Sequence, residues 1–170
     1  MKLEHATIAV IVRTIRSVID WLSRLALLIA PLVLRIALAV PFFRSGLTKW
    51  DGFLSLTPSA IFLFQQDFKL HIFGGAYDFP APALFAFLSS TAEITLPILL
   101  VIGLATRFAA LGLLVMTGII QLVVPEAWAN FHLPWAAMAV AIIALGPGRL
   151  SLDSLLESYL RASRHSKPPT

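Results

Sequence analysis

Four stretches of this chain stay apolar for long enough to cross a lipid bilayer. The cleanest, Pro82–Leu104, reads PALFAFLSSTAEITLPILLVIGL. At ~1.5 Å per residue it covers a hydrocarbon core of roughly 30 Å. The pattern predicts spans at about 25–47, 82–104, 107–124 and 130–146. Ahead of the first, Ile8, Ile11, Val12, Ile15, Val18, Ile19 and Leu22 follow helical spacing, with Arg13, Arg16, Asp20 and Arg24 on the other side. That predicts an amphipathic helix over residues 1–24, lying in the membrane interface. After the last span, Gly146-Pro147-Gly148 stops the helix, and Ser151 or Asp153 caps a final one whose apolar stripe is Leu152, Leu155, Leu156, Tyr159 and Leu160. The terminal SKPPT reads as a disordered tail. The expected fold is all-α: a polytopic four-helix bundle over residues 25–148, with interfacial amphipathic helices over 1–24 and 149–170.

The connection at 51–81 is too long for a turn. Thr57-Pro58 signals a helix start, KLHIF an extended piece, and GGAYDFPAP turn chemistry. Its aromatics (Phe62, Phe64, Phe68, Phe73, Tyr77, Phe79) predict a lid packed on the membrane surface.

Composition agrees with a membrane chain, since 58% of residues are hydrophobic and only 13% charged, where a soluble domain is nearer a quarter charged. There is no cysteine, which excludes disulfides, thiolate metal sites and dithiol redox motifs within the chain, and no metal site is expected. No basic stretch clear of the membrane carries interleaved aromatics, so nucleic acid is not a partner. Nine basic residues (Lys2, Arg13, Arg16, Arg24, Arg107, Arg149, Arg161, Arg164, Lys167) fall on the side of the termini, against three (Arg44, Lys49, Lys69) on the other. The positive-inside rule then puts both termini in the cytoplasm of a multi-pass protein of the bacterial inner membrane. The N-terminal segment carries too many charges for a cleavable signal and is read as retained.

Two charges stand inside spans. Glu93 lies about 16 Å from Pro82 along the helix axis, with Ser89 and Ser90 on its face, and Arg35 lies within the first span. A charged residue there costs roughly 2.5–3.5 kcal/mol on insertion scales and should have a partner or a task. If the first two spans are antiparallel neighbours, Arg35 and Glu93 meet at one depth. Arg44, Lys49, Gln121 and His132 then gather near the opposite face from the termini. Glu93 and His132 are the candidate proton-exchanging residues. Arg35, Arg44, Lys49, Arg107, Gln121 and Trp135 are the candidate ligand-binding ones.

Taken together, these pieces resemble the DoxX family of small four-helix membrane proteins. The matching runs are Arg35 followed by FRSGLTKW (Phe43–Trp50), AEITLPILLVIGLATR (Ala92–Arg107), His132 with Trp135, and GPGRLSLD (Gly146–Asp153). The family takes its name from the membrane subunit of an archaeal thiosulfate:quinone oxidoreductase. Other members look like partners of soluble redox enzymes or of systems handling metal-binding peptides. The resemblance implies a membrane subunit with a site for a quinone or another lipophilic ligand, no covalent cofactor, and lipid plus a protein partner or second copy as company. The competing expectation is a non-catalytic accessory protein, with Arg35 and Glu93 only fixing helix register.

Overall fold

In the computed structural model, residues 2–165 are described, with side chains from residue 11 to residue 163. The side chain of Ile8 and the SKPPT tail lie outside them. Four segments are long and apolar enough to cross a membrane: Ile11–Leu47, Pro82–Ile102, Thr106–Val123 and Pro125–Leu145. They belong to helices α1 (Lys2–Leu47), α3 (Pro82–Ile102), α4 (Thr106–Val123) and α5 (Leu133–Leu145). α5 is extended backwards by a 3₁₀ turn at Pro125–Ala127 and a π turn at Trp128–His132. α1 packs on α3 and α5, and α4 also packs on both. Leu38, Phe42, Leu100, Leu113 and Ile142 sit at the shared core, among small residues such as Ala109, Ala110 and Ala139. This is a mostly helical, polytopic arrangement. The end holding the α3–α4 turn and α6 (Leu152–His165) is called basal here, the opposite one the loop end.

α1 is a single helix of 46 residues, about 69 Å long. The division expected near residue 24 is not marked by a break, because Ser23-Arg24-Leu25-Ala26 contains no helix breaker. Among the residues with described side chains, α1 is held by the protein from Pro31 onward, through Pro31, Arg35, Leu38, Phe42 and Gly46, whereas residues 11–29 are exposed on every side. The apolar stripe of α6 is also exposed.

The all-α expectation needs one amendment, in the 48–81 connection. β1 (Trp50–Gly52) and β2 (Ser55–Leu56) form one antiparallel hairpin, β3 (Lys69–Ile72) and β4 (Gly75–Asp78) another. Between them α2 (Pro58–Phe62) starts on Thr57, whose hydroxyl accepts from the Ala60 amide, as the Thr-Pro pair predicts. Lys69 and Asp78 pair across the second hairpin. Its outer edge is tied to α4 by the His71 ring, which donates through Nδ1 to the Leu122 carbonyl at 3.1 Å. Phe53 and Phe73 stand free at the hairpin tips.

Close packing of α1 on α3 rests on Gly46. A Cβ there would meet Ile94 Cδ1 at 2.8 Å, Glu93 Cβ at 3.0 Å and the Glu93 carbonyl carbon at 3.1 Å. Gly112 likewise faces Leu96 across α3–α4, but a Cβ on Gly118 would meet nothing within 4 Å. Gly46→Val should therefore lower the thermal midpoint in detergent, at a cost of about 1–3 kcal/mol. Gly118→Ala should leave it unchanged or raise it.

Candidate functional site

The residues singled out by polarity separate into three places. At the basal end Arg35 is wholly buried. Its Nε donates to the Pro31 carbonyl at 3.3 Å, its Nη1 to Leu100 and Val101 at 3.4 Å each, and its Nη2 to Leu150 at 2.5 Å. The α3 acceptors belong to the last turn of the helix, whose carbonyls lack helical partners and carry the negative end of the macrodipole. α3 ends in a Schellman arrangement, with Gly103 N–H on Leu100 O and Leu104 N–H on Leu99 O. Gly103 has φ +74°, and a Cβ on it would fall on the Arg35 guanidinium.

Asp153 completes this junction. Its carboxylate accepts from the amides of Ala105 (2.8 Å) and Thr106 (2.9 Å) and from the Thr106 hydroxyl (2.8 Å), so it caps α4 rather than its own helix. Ser151 caps α6, accepting from the Ser154 amide. Burial alone would raise the Asp153 carboxyl. The Thr106 and Ala105 hydrogen bonds and the charge of Arg35 outweigh it and hold the group below its ordinary value. A depressed acid contributes stability above its unfolded value, near pH 4, and loses it as pH falls through the lower folded value. Asp153→Ala should therefore lower stability by about 0.5–2 kcal/mol at neutral pH. The gap from the parent should close on acidification below about pH 4, read as thermal midpoints across pH.

Midway along α3, Glu93 is 4% exposed. Its partner is not Arg35 but Lys49, whose Nζ donates to both carboxylate oxygens, at 2.6 and 2.5 Å. The reason is depth. Gly46 packs on Glu93, and Arg35 lies eleven residues earlier on α1, about 16 Å down the axis. The expected Arg35–Glu93 pair is thus replaced by a Lys49–Glu93 pair and a separate Arg35 junction. Ser89 and Ser90 do not serve the carboxylate. The Ser89 hydroxyl bonds Ala86 O at 3.5 Å, and the buried Ser90 hydroxyl has no partner among the described residues.

The pair forms the polar patch of a cavity of about 410 Å³ between α3, α4 and the connection. Ser45 of α1 and Lys49 just beyond its end line it, with Phe85, Leu88, Ser89, Glu93 and Leu96 of α3 and Val115, Met116, Ile119 and Ile120 of α4. Phe64, Phe68 and Phe79 close it from the connection. These rings pack in a chain, Phe64 on Phe68 at 5.1 Å, Phe64 on Phe79 at 5.3 Å, and Phe79 on Phe85 at 5.3 Å between centroids. An ammonium has three donors. Two of Lys49's meet Glu93, leaving one for a polar head in an otherwise apolar, aromatic-walled space.

At the loop end His132 is buried and Nδ1 lies 2.6 Å from Gln121 Oε1, while Gln121 Nε2 donates to the Pro125 carbonyl at 3.0 Å. With the amide so oriented, Oε1 accepts and the His132 proton sits on Nδ1. Trp135 packs on His132 and on Phe42. None of these three lines the cavity. Arg44 is exposed, and Arg107 is exposed at the basal end beside Gly146. Of the eight polarity-picked residues, only Lys49 and Glu93 meet at the cavity. Among the described residues no cluster of three His, Asp or Glu side chains could hold a metal ion.

Removing one member of a nearly dry ion pair leaves the other charge buried alone. Glu93→Leu should cost about 3–5 kcal/mol, and Lys49→Met/Glu93→Leu should recover most of it. A double-mutant cycle on detergent unfolding measures the coupling.

Comparison with known sequences adds the following. The sequence profile of the DoxX family matches residues 30–126. A protein of Haemophilus influenzae, described as uncharacterized, is 29% identical over 147 aligned residues, which cover 74% of this chain and 82% of that protein. No solved structure matches the chain.

Proposed function

This chain belongs to the DoxX family, and from that premise we propose that it is the membrane subunit of a redox system, binding a quinone-like lipophilic molecule in the cavity walled by Lys49 and Glu93. The observation that carries the reading is the pairing of a large apolar, aromatic-lined cavity with one concentrated polar patch. The residues fit such a ligand. Phe64, Phe68, Phe79 and Phe85 offer surfaces for a flat ring, and Ile119 and Ile120 for an aliphatic tail. The third Lys49 N–H faces a head-group oxygen and counters negative charge there. Glu93 accepts from a hydroxyl or holds a proton at Oε1 or Oε2 for transfer. A bound quinone would supply the exchange of electrons and protons. With no cysteine in the chain, the electrons arrive from a partner protein.

The excess of basic residues on the side of the termini supports a basal end facing the cytoplasm of a bacterial inner membrane, with the cavity in the opposite half of the membrane. A second reading, a non-catalytic accessory that docks a partner protein, draws on the hairpin tips, where Phe53 and Phe73 present uncovered rings.

The test is native mass spectrometry of the protein taken from its own membrane, followed by titration with a short-tailed benzoquinone. The parent should carry or bind the quinone. Glu93→Gln, which keeps the side-chain shape, should weaken binding tenfold or more, about 1.4 kcal/mol, while Phe73→Ser leaves it unchanged. Absence of binding, or equal binding by Glu93→Gln, would remove the redox reading and leave the accessory one.

A further inference from the structure

The cavity beside Lys49 and Glu93 is closed at its two ends and open at its side. On the basal side α3 and α4 touch, since a Cβ on Gly112 would meet Leu96 Cδ1 at 2.8 Å. On the loop side Phe64, Phe79 and Ala86 form a buried cluster on which Phe68, Phe85 and Val123 pack, so the roof bridges both helices. Between floor and roof, Leu88 of α3 and Val115 and Ile119 of α4 line the cavity and are nevertheless 54%, 57% and 40% exposed. A side chain that meets both the cavity and the outside marks a mouth. Leu88 lies six residues in from the loop end of α3, and Val115 and Ile119 eight and four residues in from that of α4, which is about 6–12 Å. Both helices are long and apolar enough to cross a membrane, so the mouth opens on hydrocarbon rather than on the head-group layer. The lining has one further exposed residue, Ser45, one turn before Lys49.

We propose that the ligand of this cavity enters sideways from the bilayer interior, through the gap framed by Leu88, Val115 and Ile119, and that it is an uncharged, single-chain amphiphile whose tail stays in that gap. This rests on the lipophilic-ligand reading above and adds to it the route and the charge of the head. A molecule arriving at that depth crosses hydrocarbon first, which a fixed charge does at high cost. The receiving groups are a matched pair, with Lys49 Nζ on both Glu93 oxygens. The site therefore has no net charge to balance that of an incoming ion, and offers hydrogen bonds instead. Size points the same way. At about 410 Å³ the cavity lies at the small end of ligand sites, roughly 300–1,000 Å³, enough for a ring-sized head but not for a long chain as well. The chain then passes between Leu88, Val115 and Ile119, which are apolar and face the lipid already. A phospholipid does not meet these terms, because its charged phosphate is held in the head-group layer.

The test separates route from ligand. With no cysteine in the chain, Ser89→Cys carries a small fluorophore into the cavity of the full-length protein in lipid nanodiscs. Phosphatidylcholine with a nitroxide at mid-chain should quench it at least threefold more than iodide in the water does. Val115→Trp/Ile119→Trp, which fills the mouth, should remove most of the lipid quenching. Val140→Trp, at an exposed position of α5, should leave it unchanged. Stronger quenching by iodide, which assigns the entrance to the Ser45 side, or lipid quenching indifferent to the mouth variant, overturns the proposal whether or not a quinone binds. In the second arm an alkyl-tailed benzoquinone should associate at least fivefold more slowly with the mouth variant than with the parent. The same ring carrying a sulfonate should bind the parent at least tenfold more weakly. Equal association rates overturn the route, and equal affinity for the sulfonated ring overturns the uncharged head. A parent that binds no benzoquinone removes the redox reading above and leaves the mouth to be decided by the quenching, so the two failures are distinguishable.

Discussion

A guanidinium without water is the constraint that organises the basal end. Arg35 has five donors in a fixed plane and no solvent to satisfy them. They find carbonyls on α1 itself, on the last turn of α3 and on the strand of chain leading into α6. The α3 acceptors belong to a last helical turn, so the side chain closes that helix end while also binding the middle of α1 and the approach to α6. The surrounding sequence follows from it. Gly103 has no Cβ because the guanidinium occupies that space, and Ser151 and Asp153 are held against the α3–α4 turn, where Asp153 caps α4 with an opposite charge close to Arg35.

That junction also sets the depth of everything above it. Once Arg35 is fixed at the end of α3, the helical rise brings Gly46 level with Glu93 and leaves Lys49 one turn further on to reach the carboxylate. The two buried charges thus have different tasks. One closes the end of the helical body, and the other makes the polar spot in a cavity that is otherwise hydrocarbon and phenyl.

Much of this was legible in the chain. The four apolar segments, the isolated Glu93, the Thr57-Pro58 start and the runs around Gly46 and Gly103 are written in residue type and spacing. The partner of Glu93 was not, because sequence gives position along a helix but not where neighbouring helices begin. With the first span taken to start at Leu25, Arg35 falls at mid-depth. The body takes hold only at Pro31, and Arg35 is then near its end. Lys49 looked like a cation leaving the membrane, and its inward turn depends on the connection folding back over α3 and α4. Gln121 and His132 were readable as two of four polar residues near one face, but their pairing and their separation from the cavity depend on helix rotation, which spacing within one helix does not report. Phe64, Phe68 and Phe79 were visible as part of an aromatic lid, though not as the wall of a particular space. The amphipathic character of the chain ahead of Leu25 was plain, whereas the continuity of that helix with the span required the backbone.

Lys49 has a second attachment. Its side chain holds Glu93, and its carbonyl accepts from the Thr57 amide at 2.9 Å, at the residue that starts α2. The same residue is therefore a wall of the cavity and the root of its roof. The rings of Phe64 and Phe68 hang from the segment that begins there. The ion pair and the connection are in this way joined through one backbone position, so the wall and the roof of the cavity share a single anchor.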